Sequence, residues 1–179
     1  MSITTPVRSQ RNGSPLPPSP GIARAEAQVA RWLAAHTITL LRISLGLVFL
    51  GFGVLKFFPG ASPAEALVIR TVDALSLGLV SGPPALVMTA AMETFIGLTL
   101  LTGRGLRAGL VVLAGAMVGI MSPLVLFYGD LFPGGLPTIE GQYVLKDIVL
   151  AAAGAVVAAQ ALGAQYVVSD ETAHGTRRG

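Results

Sequence analysis

Five ionisable side chains, Arg42, Lys56, Glu93, Lys146 and Asp147, interrupt segments that otherwise read as hydrocarbon. A charge within a bilayer costs several kcal/mol unless it is paired, reached by water or put to use, so each of these residues is a site candidate. An acid beside a cation can hold a polar headgroup or pass a proton, and the same set can equally lock helices together. Glu93 is the deepest of the five. Thr89, Glu93 and Gly97 are spaced by four with Ala90 beside them, so the carboxyl projects from a small-residue face. Arg42, Lys56 and Lys146 are all in contention as its partner, and the sequence does not choose among them. The chain has zero cysteines and two histidines, His36 and His174, both outside the apolar segments. Thiolate metal sites, iron–sulfur clusters and a pair of in-membrane haem ligands are thereby removed from what it can build alone, and no metal is expected.

The elements that must position these residues are helices. Apolar residues make up 53% of the 179-residue chain and charged ones 12%, half of the roughly 25% usual in soluble domains. Four apolar stretches, near residues 38–58, 84–101, 106–128 and 142–162, are each long enough to cross about 30 Å of hydrocarbon at 1.5 Å per residue. The fold class is therefore all-α, an integral membrane four-helix bundle. In the first stretch Arg42, Gly46, Phe49, Gly53 and Lys56 share one face, which should point inward because small residues admit a neighbouring helix. Arg42 and Lys56 then stand roughly 21 Å apart along the axis, one toward each side, each with snorkelling to its own surface as the plain alternative. In the last stretch Asp147, Ala151, Gly154, Ala158 and Ala161 make an inward stripe, whereas Leu145, Ile148, Val149, Ala152 and Val156 suit lipid. Lys146, rotated about 100° from Asp147, either flanks the interior or reaches the interface. Pro123, after Ser122, predicts a kink in the third stretch.

Outside the spans, residues 1–21 and 166–179 read as disordered tails, and 22–36 as an interfacial amphipathic helix anchored by Trp32, preceding a transmembrane domain over 37–165. The first apolar segment begins too late and runs too long for a signal peptide. Ser62-Pro63-Ala64-Glu65 forms a capping-box pattern predicting an amphipathic helix from Ser62 between the first two spans, lying on the outer surface or, in the sharper reading, serving as a lid. Residues 129–140, rich in Gly and Pro and flanked by Phe127, Tyr128, Phe132 and Tyr143, read as an aromatic-belted loop, a second lid or a docking surface. Arg8, Arg11, Arg24 and Arg31 precede the first span, and Arg104 and Arg107 mark the turn after the second. The positive-inside rule therefore places both termini in the cytoplasm. The net charge of +3 is small and sits mainly in the tails, which speaks of orientation and not of nucleic acid.

Three motifs taken in order carry a resemblance. They are LLRISLGLVFLGFGVLKF in the first span, the mid-span Glu of AMETFIGLTLLTGR, and GQYVLKDIVLAAAG at the head of the last. Together, over residues 38–163, they resemble the DoxX-like family of small bacterial four-helix membrane proteins, including its YkgB-type branch. The resemblance implies a multi-pass protein of the bacterial cytoplasmic (inner) membrane, with lipid and other protein subunits as partners. It also implies a link to quinone-coupled oxidation of sulfur compounds or to defence against oxidants, as at most one subunit of a quinone-linked oxidoreductase. No covalently bound cofactor is expected; quinone is the ligand implied. The first expectation is thus a polar interior of Glu93, Arg42, Lys56 and Asp147 engaging a quinone-like headgroup or its protons. The second is a non-catalytic scaffold with structural charges; a small-solute transporter is disfavoured by the lack of a visible internal repeat.

Overall fold

The structure, a computed structural model, describes residues 20–164. Both tails read as disordered, with His174, fall almost wholly outside that range. The helices are α1 (Pro20–Leu55), α2 (Glu65–Leu75), α3 (Pro83–Thr102), α4 (Leu106–Met121), α5 (Pro123–Leu126), α6 (Tyr128–Leu131) and α7 (Ile139–Ala161), with one 3-10 turn at Pro133–Gly135. There is no strand among the described residues. Four segments, Gly21–Leu55, Pro83–Thr102, Leu106–Leu126 and Ile139–Ala161, are long and apolar enough to span a membrane. The protein is a multi-pass, all-α membrane protein, as its sequence implies.

By contacts the chain divides at His36 into two units. Within the first, Trp32 stacks on His36 at 4.8 Å, and His36 Nδ1 donates to the Trp32 carbonyl at 2.8 Å. The expected boundary between an interfacial helix and the first span is not a break in secondary structure, since α1 runs through it. No glycine or proline stands between Gly21 and Gly46 to end a helix there.

The second unit holds the bundle. Its core is Leu45 and Phe49 of α1, Ile96 and Leu100 of α3, Leu113 of α4 and Val157 of α7, each at most 3% exposed. Glycines bring the helices to backbone contact. A Cβ at Gly97 would stand 2.6 Å from the Leu50 nitrogen, and one at Gly53 would stand 2.8 Å from the Thr94 nitrogen. Such contact substitutes van der Waals packing for the hydrophobic drive that lipid does not supply. Between α4 and α7, Gly154 admits the Leu113 side chain in the same way.

Pro123 interrupts the third span as expected. It cannot donate to the Gly119 carbonyl, and Ser122 takes over, its Oγ bonding Gly119 O at 2.7 Å and its N–H at 3.2 Å. Two expectations are corrected. The helix between the first spans starts at Glu65, not Ser62, and its capping box is not made: the Glu65 carboxylate accepts the Gly60 N–H at 2.7 Å, and the buried Ser62 hydroxyl has no partner. The last span begins at Ile139 rather than 142 because Thr138 caps it, accepting the Gly141 N–H at 3.1 Å. What read as a dozen-residue loop is thereby shortened and filled by α6 and the 3-10 turn, with Leu131 buried and its carbonyl taken by Thr138 N–H at 2.9 Å.

Candidate functional site

Among the described residues Glu93 has one partner, and it is Lys56. Their Nζ–Oε2 distance is 2.6 Å, and the two residues are 6% and 5% exposed. The glycine seam causes the pairing: Gly53 lies against Thr94 and Glu93 Cβ, so α1 and α3 are close enough for a lysine three residues past Gly53 to reach the carboxylate. Lys56 Nζ also donates to the Phe52 carbonyl at 3.4 Å and stands 5.8 Å from the Phe52 ring.

The pair borders a cavity of about 420 Å³, within the 300–1,000 Å³ range of small-molecule sites. α2 covers it with a stripe at helical spacing, Ala64, Leu67, Val68, Thr71, Val72 and Leu75. The sequence offers this segment as a surface helix or, more sharply, a lid; in the structure its apolar stripe lines the cavity. The opposite walls come from Met88 and Met92 of α3, Gly115 and Ile120 of α4, and Leu150 of α7. Asp147 enters from α7, half-buried, with no hydrogen bond or ion pair of its own among the described residues. Lys56, Glu93 and Asp147 therefore share one cavity, and most of the remaining lining is hydrocarbon.

The other two cations do not join them. Arg42 is half-buried with its guanidinium against Gly103, at the C-terminal end of α3, where a helix favours positive charge. Lys146 is exposed and lies over the Tyr143 ring at 5.0 Å, on the outward side of α7. The face that α2 turns to the cavity, Thr71 included, was not foreseen as part of the site. Its signal is in the sequence, as a run of apolar and small residues at intervals of three and four from Ala64 to Leu75. α2 is held at its middle by Arg70, on its exposed face, which pairs with Asp130 at 2.7 Å and lies 3.9 Å over the Phe127 ring. Among the described residues no group of His, Cys, Asp and Glu is arranged to hold a metal ion.

No curated protein and no solved structure matches the chain. One protein-family model does, that of DoxX, over residues 37–129. The match takes in Lys56, Glu93 and the whole of α2, while Asp147 lies beyond its end. With just over half of its length so matched, and with four spanning helices, the chain belongs to the DoxX family.

Proposed function

We propose that this DoxX protein binds a quinone-type headgroup in the α2-covered cavity and so serves as a membrane subunit of a quinone-linked redox assembly, in sulfur-compound oxidation or oxidant defence. One observation carries the reading: a buried ammonium–carboxylate pair and an unpartnered carboxyl, Asp147, lie at the wall of a largely apolar cavity inside a membrane bundle. That combination suits a ligand with an apolar ring or tail and a polar end. A bound quinone supplies two-electron, two-proton chemistry. In the protein, Lys56 and Glu93 hold the polar end, Asp147 accepts or returns a proton there, and Leu67, Val68 and Val72 of α2 keep water from it. The chain has no cysteine, and electrons come from a partner subunit in this reading.

Positive-inside asymmetry supports the bacterial cytoplasmic membrane with both termini in the cytoplasm, which sets the cavity in the outer half of the bilayer. A fluorescent protein fused after Gly179 should then fold and fluoresce. The functional test is native mass spectrometry of the gently extracted protein. Wild type should carry a quinone in its oxidised or reduced form, and Glu93→Gln should lose it while eluting as an intact complex. Wild type free of quinone, with Glu93→Gln disrupting assembly, would instead support a scaffold in which the Lys56–Glu93 pair is structural.

A further inference from the structure

The hydrogen-bonding inventory of the cavity is lopsided. Lysine offers three donors, and Lys56 gives one to Glu93 Oε2 and one to the Phe52 carbonyl. The Thr71 hydroxyl donates to the Leu67 carbonyl at 2.6 Å, and the Thr89 hydroxyl donates to the Ala85 carbonyl at 2.9 Å. Ser76 spends its hydroxyl hydrogen on Asp73 or Val80 carbonyls, both at 3.2 Å. One Lys56 N–H and the Tyr143 hydroxyl are the donors left. Against them stand both Asp147 oxygens, Glu93 Oε1, and the lone pairs of Thr71 and Thr89. A proton on Asp147 adds a single donor and leaves acceptor capacity in place, so the imbalance survives either state.

A quinone headgroup carries only carbonyl acceptors, and a hydroquinone carries two O–H donors. Carbonyls set against an acceptor-rich wall leave polar groups unsatisfied in a largely apolar cavity, whereas hydroxyls satisfy them. Resting on the quinone reading above, we propose that the cavity selects the reduced, hydroquinone form, with Asp147 as the residue that sets the preference. The site then holds the hydroxyl-bearing end of an amphiphile between α2, α3 and α7, and releases the oxidised form more readily than the reduced one. The ligand chemistry is a lipid-soluble headgroup that donates hydrogen bonds, and its alternative source is a long-chain amine.

The test uses full-length protein in nanodiscs stripped of quinone. Decylhydroquinone held reduced under anaerobic conditions, decylbenzoquinone and decylamine are titrated separately, with empty nanodiscs as the partition control. The expected result is hydroquinone binding at least about tenfold tighter than the quinone, with the preference falling to within about threefold in Asp147→Asn, whose amide supplies the missing donors. Equal or tighter binding of the quinone overturns the inference and leaves the quinone reading standing. Binding of neither aromatic overturns both. Decylamine binding tighter than decylhydroquinone overturns the inference in favour of a cationic headgroup. The wild-type comparison stands by itself if the variant fails to fold.

Discussion

Removing one member of the Lys56–Glu93 pair and removing both should have opposite consequences. In Lys56→Met the Glu93 carboxylate keeps its place, 5% exposed between α1 and α3, with no cation within reach, since Arg42 lies at the other end of α3 and Lys146 faces outward. Breaking a buried pair from one side costs about 3–5 kcal/mol, whereas replacing both members with apolar residues of similar volume is neutral or stabilising. For a chain of this length each kcal/mol is roughly 2–4 °C in midpoint, so Lys56→Met should melt on the order of 10 °C below wild type. Lys56→Met with Glu93→Leu should recover most of that loss. The measurement is the fraction of protein eluting as a single species after heating in detergent. Tryptophan emission would not serve, because the single tryptophan, Trp32, belongs to the other unit. Single variants within about 2 °C of wild type, or a double variant melting below both singles, would refute the view that the pair is held by mutual compensation in a buried seam.

Three further outcomes test the frame around the site. Gly97→Ala puts a methyl 2.6 Å from the Leu50 backbone and should cost about 1–3 kcal/mol or more in the same heating assay, while Gly51→Ala, with nothing within 4 Å, should be neutral or gain up to about 1 kcal/mol. Thr138→Ala removes the cap of α7 and should lose about 1 kcal/mol, with hydrogen exchange quickening in the first turn after Ile139. Arg70→Ala breaks an exposed ion pair and a ring contact, so stability should change by no more than about 1–2 kcal/mol, while exchange of the α2 amides speeds up.

The span count and the buried faces of the first two spans were legible from periodicity. Gly46, Phe49, Gly53 and Lys56 are all buried, as are Thr89, Ala90, Glu93 and Gly97, because a small-residue stripe with an ionisable group has nowhere else to go in lipid. Pairing was not legible. Three cations were equally eligible for Glu93, and the choice fell to Lys56 through the register of α1 on α3, which Gly53 and Gly97 fix by contacts between residues some forty positions apart. Local capping failed in a related way. Ser62 and Glu65 have the right spacing for a reciprocal box, but the left-handed turn at Gly60, with φ of +77°, brings its N–H to the Glu65 carboxylate first. Thr138 is masked as a cap in the sequence by Pro137 and the glycines before it, which extend the loop pattern along the chain.

The Ser122–Pro123 break bears on which molecules the cavity admits. Because Gly119 O is already satisfied by Ser122, the carbonyl that Pro123 cannot serve is not left seeking a partner, and that stretch of wall, with Gly119 and Pro123 both lining it, is a set contour. The facing wall, α2, is an eleven-residue helix tethered through the exposed Arg70 at its middle. Variation in ligand bulk is therefore absorbed on the α2 side, so analogues substituted on the edge facing α4 should be discriminated sharply and those substituted toward α2 tolerated.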